Sequence, residues 1–434
     1  MAKEHPLKEL VNKQKSGISE GIVSICSSNE FVIEASMERA LTNGDYVLIE
    51  STANQVNQYG GYIGMTPIEF KKFVFSIAKK VDFPLDKLIL GGDHLGPLIW
   101  KNESSNLALA KASELIKEYV LAGYTKIHID TSMRLKDDTD FNTEIIAQRS
   151  AVLLKAAENA YMELNKNNKN VLHPVYVIGS EVPIPGGSQG SDESLQITDA
   201  KDFENTVEIF KDVFSKYGLI NEWENIVAFV VQPGVEFGND FVHEYKRDEA
   251  KELTDALKNY KTFVFEGHST DYQTRESLKQ MVEDGIAILK VGPALTFALR
   301  EALIALNNIE NELLNNVDSI KLSNFTNVLV SEMINNPEHW KNHYFGDDAR
   351  KKFLCKYSYS DRCRYYLPTR NVKNSLNLLI RNLENVKIPM TLISQFMPLQ
   401  YDNIRRGLIK NEPISLIKNA IMNRLNDYYY AIKP

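Results

Sequence analysis

Short apolar runs alternate with longer amphipathic stretches along most of the chain. Eight runs of seven to nine residues are apolar almost throughout and end in glycine, serine or a polar residue; they lie at 21–28, 46–52, 88–94, 126–132, 175–182, 226–234, 262–269 and 287–293. A nearly continuous apolar run of this length is typical of a parallel strand that is buried on both faces. The pattern therefore predicts eight buried parallel strands.

A stretch with apolar residues at helical spacing follows each run. These stretches lie at 31–41, 67–80, 106–122, 143–164, 200–217, 248–260, 273–282 and 295–314. Eight strand–helix pairs between about residues 20 and 315 predict an α/β fold of the (β/α)8 type, a TIM barrel. The alternative is an open doubly wound sheet. That fold would more often show a glycine-rich dinucleotide turn after the first strand, and residues 24–29 contain no glycine.

The pattern of strands stops after about residue 316. Residues 374–383, 403–409 and 414–429 have helical spacing, and 361–368 form an aromatic-rich connection. We therefore expect residues 1–315 to form the barrel with a short N-terminal helix. Residues 316–434 are expected to form a helical extension that docks on the barrel or on a partner.

Composition narrows the class of protein. The 434 residues include 50 Lys and Arg against 57 Asp and Glu, a formal charge of −7 without a basic cluster, which argues against nucleic-acid or anionic-membrane partners. Three cysteines supply neither a disulfide framework nor a thiolate zinc site, as suits a reducing cytosol. The start of the chain shows no apolar signal region, and no apolar run approaches the length of a membrane span. These features predict a cytoplasmic protein.

Polar side chains gather where the predicted strands end, which is where barrel enzymes carry their chemistry. The strand ends carry Glu50, Asn54, Gln55, Asp93, His94, His128, Asp130, Glu181, Gln232, Glu266, His268, Ser269 and Asp271. A barrel interior is normally filled by branched apolar residues, so this polarity predicts a ligand or an ion. Structural interpretations stay open beside it: His128 as a hydrogen-bonded core histidine, Asp130 as a loop cap, and Glu50 as the partner of a cation.

Imidazole, carboxylate and carboxamide groups together suit one divalent ion, zinc first, with Mn²⁺, Ni²⁺ or Mg²⁺ as alternatives. Such an ion would polarise a carbonyl group and hold an enediolate, while a nearby carboxylate moved the proton. Gly186, Gly187 and Gly292 offer backbone N–H groups that suit a phosphate.

The same segments resemble a known family. The strings LIESTANQVNQYGGYIGMTP, ILGGDHLGP, GYTKIHIDTSM, VIGSEVPIPGG, VVQPGVEF, EGHSTDYQT and ILKVGPALTFALREA are similar to those of Z-type subunits of tagatose-1,6-bisphosphate aldolase. The likeness continues into the tail at 357–362 and 393–398, so it covers essentially the whole chain. It implies a barrel related to the metal-dependent class II aldolases.

The resemblance also implies roles for the polar residues. Asp93 matches the catalytic carboxylate of class II aldolases, with Asp130 and Glu266 as the next candidates for proton transfer. The expected metal ligands are His94, Glu181, Gln232 and His268. The expected substrate-binding residues are Glu50, Asn54, Gln55, His128, Gly186, Gly187, Ser269, Asp271 and Gly292.

Two departures from the catalytic class II pattern leave the activity open. Gln232 stands where those enzymes have a metal histidine, and Gly292-Pro-Ala replaces their strand-eight substrate motif. Three functions follow: an aldolase subunit acting with a Y-type partner, a stand-alone metal-dependent ketohexose 4-epimerase, and a non-catalytic structural subunit. The first two imply a ketohexose or ketohexose phosphate as substrate, and we expect a homo-oligomer.

Overall fold

The computed structural model describes residues 4–182 and 195–434. Its strands are β1 (Ile22–Ile25), β2 (Val47–Thr52), β3 (Leu88–Leu95), β4 (Lys126–Ile129), β5 (Val175–Ile178), β6 (Ile226–Val231), β7 (Glu236–Phe237), β8 (Val242–His243), β9 (Val264–Gly267) and β10 (Ile286–Val291). Eight of them are parallel and close into a barrel in the order β1-β10-β9-β6-β5-β4-β3-β2. The predicted (β/α)8 barrel is confirmed, each barrel strand lying within or beside one of the apolar runs.

The first nine helices are α1 (Pro6–Lys15), α2 (Glu30–Leu41), α3 (Pro67–Lys80), α4 (Ser105–Ala122), α5 (Thr143–Asn167), α6 (Ala200–Lys216), α7 (Arg247–Leu257), α8 (Arg275–Glu283) and α9 (Pro293–Leu314). Local signals set several of their ends. Thr66 and Glu69 form a capping box at the start of α3, and Gly123 ends α4 with a φ of 90°.

The remaining helices are α10 (Phe325–Asn335), α11 (Asp348–Tyr357), α12 (Arg370–Glu384), α13 (Met390–Phe396), α14 (Pro398–Arg405) and α15 (Pro413–Ala431). Short 3-10 segments lie at Leu85–Lys87, Pro97–Trp100, Ile220–Asn225, Pro337–His339 and Arg362–Tyr365. The helix expected at 403–409 is placed too late: α14 starts at a first-turn proline, Pro398, and Gly407 follows it with a φ of 70°. Helix α15 packs against α2, α8 and α9 on the barrel wall.

Two apolar cores surround the strands. One lies between the strands and the outer helices, and the other fills the barrel near the N-terminal ends of the strands. Leu7, Leu10 and Val11 of α1 belong to the second core, which also contains Leu48 and Val177. Helix α1 therefore packs into the N-terminal end of the barrel, and the polar strand ends lie at the opposite end. Across the described residues, every helix is too short or too polar to span a bilayer.

His5 sits at the start of α1 and gives the fold a pH-dependent stability. Its side chain is 2% exposed, and its Nδ1 accepts a hydrogen bond from the Leu7 N–H at 3.1 Å. Burial, helped by the charge of Lys8, lowers the pKa of His5 to about 3. The unfolded chain therefore binds the proton more readily than the folded one, so this contribution to the free energy of unfolding decreases as pH falls from 6.5 towards 3.

We expect His5→Asn to reduce that acid sensitivity. Asparagine keeps a side-chain acceptor for the Leu7 N–H but does not titrate. Between pH 6.5 and 4.5 the wild type should lose about 2–3 kcal/mol more stability than the variant, because each pKa unit is worth about 1.4 kcal/mol. Urea unfolding at the two pH values measures the difference, and parallel pH dependence in both proteins would rule His5 out as its source.

Candidate active site

A cleft opens at the C-terminal ends of the barrel strands. Its walls combine strand ends, the loop after β2, the loop after β9, and the 3-10 segment Arg362–Tyr365. The lining residues are Cys26, Thr52, Asn54, Gln55, Tyr62, Asp93, His94, Phe237, His268, Ser269, Asp271, Lys290, Val291, Gly292, Pro293, Arg364 and Tyr365. The cleft is therefore where polar strand ends meet a segment from the C-terminal part of the chain.

Three imidazoles and one carboxylate converge beside the cleft. Potential ligand atoms of Asp93, His94, His128 and His268 all lie within 4.8 Å of one another, and all four residues are buried. The ring centroids of His94 lie 4.9 Å from those of both other histidines, which are 5.1 Å apart. We call these four residues the imidazole cluster.

The backbone adopts an unusual conformation at His94 and directly after His268. His94 has a φ of 47° and Ser269 a φ of 53°, in the left-handed region that non-glycine residues rarely occupy. Such conformations cost about 1–3 kcal/mol each and persist where the surrounding structure fixes them, often at active sites. Gly91 is needed for a different reason, since a Cβ there would lie 2.7 Å from Cγ of Glu50.

Hydrogen bonds orient two of the rings. Nδ1 of His94 lies 2.9 Å from the carboxylate of Asp130, an arrangement that commonly fixes a metal-ligating imidazole. Nδ1 of His128 lies 2.9 Å from Asp93 and 3.1 Å from the backbone N of His94. Its Nε2 is buried and has no hydrogen-bond partner among the described residues. An unsatisfied buried nitrogen of this kind calls for an ion, a water molecule or a ligand.

An ion-pair network fills the barrel beneath the cluster. Lys126 lies 2.6 Å from both Glu50 and Glu266, and all three side chains are fully buried. Lys290 pairs with Asp93 and lies 3.2 Å from both Glu266 and Nε2 of His268. With Asp130 added, the buried region holds four carboxylates and two ammonium groups. This formal excess of two negative charges matches a divalent cation.

The electrostatics of the cluster suit metal binding. Burial, together with the charge of Lys290, lowers the pKa of His128 to about 4 and that of His268 well below its usual value. Burial would raise the pKa of Asp93, but His94 and Lys290 outweigh it and hold that pKa well below the usual range. Neutral imidazoles and an ionised carboxylate are the forms that ligate a metal.

The residues present therefore fit a divalent ion. His94, His128 and His268 would hold it beside Asp93, with Asp130 and Glu266 fixing the rings of His94 and His268 from behind. This set differs from the expected ligands in two positions. Glu181 is exposed and accepts a hydrogen bond from Thr198, and the side-chain oxygen Oε1 of Gln232 accepts from the N–H groups of Gly234 and Val235. The structure brings neither side chain into the cluster.

The other proposed proton-transfer and binding residues divide into two groups. Asn54, Gln55, Ser269, Asp271 and Gly292 line the cleft, as does Asp93. Glu50 and Glu266 are fully buried in the ion-pair network, so the pairing of Glu50 with a cation is what the structure shows. His128 is likewise buried and hydrogen-bonded.

The phosphate site expected at Gly292 needs correction. The N–H groups of Gly292 and Ala294, at the start of α9, donate to the carboxylate of Asp271 at 3.0 and 2.7 Å. Burial raises the pKa of Asp271 to about 6, although these two N–H groups oppose the shift. An anionic side chain thus occupies the helix N-terminus that would otherwise suit a phosphate. Gly186 and Gly187 lie outside the described residues.

The sequence did not single out several residues that form the site. Lys290 is the one charged residue in the apolar run of β10, and a charge in such a run is the feature that could have identified it as a site residue. Tyr62, Arg364 and Tyr365 line the cleft from the loop after β2 and from the C-terminal segment. Sequence spacing gave no means of placing residue 364 beside strands that end before residue 292.

A second group of potential ligands lies at the other end of the barrel. Nε2 of His173 lies 3.3 Å from Glu158 and 4.0 Å from Glu222, near the N-terminal ends of β5 and β6. Tyr176 donates to Glu158 at 2.5 Å. These contacts are satisfied as a hydrogen-bonded ion-pair group, and the group serves below as a comparison for metal binding.

Comparison with known proteins identifies a family for the chain and one similar crystal structure. Residues 7–433 match the family model described as D-tagatose-1,6-bisphosphate aldolase subunit GatZ/KbaZ-like. The chain is similar to a crystal structure described as a probable tagatose 6 phosphate kinase from Sinorhizobium meliloti 1021, with 40% identity and a TM-score of 0.86 over 95% of this chain and 100% of that one.

Two further structures are much more distant. The fructose-bisphosphate aldolase of Campylobacter jejuni shows 16% identity and a TM-score of 0.46 over 87% of this chain and 91% of its own. The YdjI aldolase of Escherichia coli K12 shows 13% identity and a TM-score of 0.43 over 86% and 95%. Both likenesses are too remote to bear on the activity.

Proposed function

The chain belongs to the GatZ/KbaZ-like family of D-tagatose-1,6-bisphosphate aldolase subunits, and on that basis we propose that it performs metal-dependent aldol chemistry on a ketohexose phosphate. The bond concerned is C3–C4 of the sugar. The divalent ion is held by the imidazole cluster, and a Y-type subunit is the proposed partner. Zinc is the first choice of ion because three imidazoles suit it and leave a coordination position open for substrate.

One observation carries this proposal: Asp93 and three buried imidazoles converge beside a cleft at the C-terminal end of the barrel. One nitrogen of the cluster has no hydrogen-bond partner among the described residues, and the cluster lies in a region with an excess of carboxylates. Maintaining such a group is costly in a barrel interior, so it supports a catalytic role over a purely structural one.

In the proposed reaction, Asp93 accepts the proton of the C4 hydroxyl group. The electrons of that O–H bond form the C4 aldehyde, and those of the C3–C4 bond pass to the ketone-bearing fragment. A bound divalent ion supplies Lewis-acid polarisation of the ketone. Proton return to C3 completes cleavage, whereas re-addition to the other face of the aldehyde inverts C4.

Other residues of the chain position these groups. Asp130 holds the ring of His94, and Glu266 contacts Nε2 of His268 at 2.9 Å. Asn54, Gln55 and Ser269 line the cleft and are assigned to the sugar hydroxyl groups.

The test is an assay of the purified chain with Zn²⁺, Mn²⁺, Ni²⁺ or Mg²⁺, with and without a Y-type subunit. Both triose release and C4-inverted ketose are followed from tagatose and fructose phosphates. Triose release supports the aldolase subunit. C4-inverted ketose without triose release favours the 4-epimerase instead. Neither product under any of these conditions would leave the structural subunit as the function.

We expect Asp93→Asn to reduce turnover by roughly 10²–10⁴-fold, the usual effect of losing a general acid or base. Asparagine keeps the shape of the side chain but cannot take the proton. The matched control is Asp318→Asn at an exposed position, which should retain full activity. Circular dichroism checks that both variants are folded. If the Asp93→Asn protein is as active as the wild type, Asp93 is not the proton acceptor, and Glu266 or Asp130 becomes the candidate for that role.

A further inference from the structure

A guanidinium group from the C-terminal part of the chain reaches the cleft. Arg364 lies in the 3-10 segment Arg362–Tyr365 and lines the cleft together with Tyr62 and Tyr365. Buried contacts anchor this segment to the barrel. Arg300 of α9 donates to Asp361 at 2.7 Å, and the hydroxyl of Tyr272 donates to the carbonyl oxygen of Tyr359 at 2.6 Å. Arg364 is therefore presented from a fixed backbone.

The guanidinium is itself held in place but keeps unused donors. Its Nη1 donates to the carbonyl oxygens of Ser360 and Asp361 at 2.6 and 3.1 Å, and its Nη2 donates to the Tyr365 hydroxyl at 3.3 Å. Arginine has five N–H groups, so those on Nε and the second on Nη2 remain. Within residues 4–182 and 195–434, no hydrogen bond uses them and no carboxylate is ion-paired with Arg364.

Two other places in the described part of the chain where an anion could bind beside the cleft are already occupied by side-chain partners. Asp271 occupies the N-terminus of α9, and Lys290 is paired with Asp93 and Glu266. Among the described lysine and arginine residues that line the cleft, Arg364 alone lacks a carboxylate partner. An oriented cation with spare donors on a cavity wall is a site for an oxyanion, because its planar fork matches two oxygens of a phosphate or carboxylate.

We propose that Arg364 binds a terminal oxyanion of the substrate, so that the site takes ketohexoses bearing a phosphate monoester or a carboxylate at the end that faces Arg364. The inference rests on the proposed function in assuming a ketohexose as ligand. It assigns substrate recognition to the C-terminal part of the chain, and it places the anion site at Arg364 instead of at the N–H group of Gly292.

The experiment measures binding by titration calorimetry in the Asp93→Asn chain, so that turnover does not interfere. The probes are tagatose, tagatose 6-phosphate and the C6-carboxylate analogue of tagatose. The charged sugar that fits the site should bind about 10–100-fold more tightly than tagatose, as expected for charge-assisted hydrogen bonds. The two charged probes distinguish a phosphate from a carboxylate.

Adding Arg364→Gln should bring the charged sugars to within about threefold of tagatose, while the affinity for tagatose itself stays unchanged. Arg364→Lys should keep part of the preference, since a point charge remains without the fork. The control, Arg406→Gln at an exposed position, should change nothing.

Equal binding of all three sugars before Arg364 is changed would overturn the inference. A preference for the charged sugar that survives Arg364→Gln would also overturn it. So would complete loss of that preference in Arg364→Lys and Arg406→Gln as well as in Arg364→Gln. The proposed function fails separately, in the assay of the wild type, if neither triose nor C4-inverted ketose forms. The two failures are thus distinguishable, because one is read from affinities and the other from products.

Discussion

Replacing His94 or His268 with alanine should give a folded protein that no longer retains a divalent ion. Each change removes one of three imidazoles whose potential ligand atoms lie within 4.8 Å of one another. Loss of an outer-shell partner alone typically weakens metal binding 10–100-fold, so loss of a ligand is expected to cost at least roughly 100-fold. Turnover that depends on the ion should disappear with it. Elemental analysis after dialysis measures the bound metal, and far-UV circular dichroism confirms the fold.

His173→Ala is the matched control for this experiment. His173 lies with Glu158 and Glu222 in the second group of potential ligands, at the other end of the barrel. The control should retain the ion that His94→Ala and His268→Ala lose. If instead the ion is lost with His173→Ala and kept in the other two variants, the metal belongs to the second group, and the proposed chemistry has no ion at the cleft.

Replacing Lys290 with methionine should destabilise the protein strongly. The Lys290 side chain is 6% exposed, and its ammonium group pairs with Asp93 and lies 3.2 Å from Glu266. Methionine leaves these carboxylates buried with less positive charge beside them, and breaking a buried ion pair from one side costs about 3–5 kcal/mol. We expect a lower urea midpoint in the presence of a chelator, which removes any compensating ion.

Two further variants test whether unpaired buried charge causes this loss of stability. Adding Glu266→Gln to Lys290→Met removes one of the excess negative charges, so part of the lost stability should return. Lys216→Met removes a lysine whose ion pair with Asp212 is solvent-exposed, and the urea midpoint should stay where it is. A Lys290→Met protein as stable as the wild type would mean that the buried carboxylates take up protons when the lysine is lost.

The barrel could be predicted from the sequence because each of its strands is buried on both faces. Runs such as residues 226–231 are apolar throughout, which is the pattern of a strand buried on both faces. The hairpin of β7 and β8 was not predicted, since strands of two residues have no periodicity to detect. Helices α10, α11 and α13 were also missed, because what orders them is packing against other helices.

The candidate site was predictable only in part, for a related reason. Asp93 and His94 lie at the end of β3 and His268 directly follows β9, so the rule that parallel strands end at one edge places them together. That rule extended to Glu181 and Gln232 as well, but local hydrogen bonds turn both side chains to other partners. Arg364 reaches the cleft through a tertiary contact between Arg300 and Asp361, which strand patterns do not encode.

Helix α15 packs against α2, which is synthesised long before it. Arg39 of α2 donates to Asn426 of α15 at 2.6 Å across 387 residues of sequence, and Tyr428 donates to the backbone of Thr270 at 2.7 Å. At typical translation rates of about 5–20 residues per second, the surface of α2 that α15 covers waits roughly 20–80 s for its partner. During that interval the nascent barrel exposes an apolar face on the ribosome. Chaperones that recognise apolar surfaces can bind this face until α15 covers it.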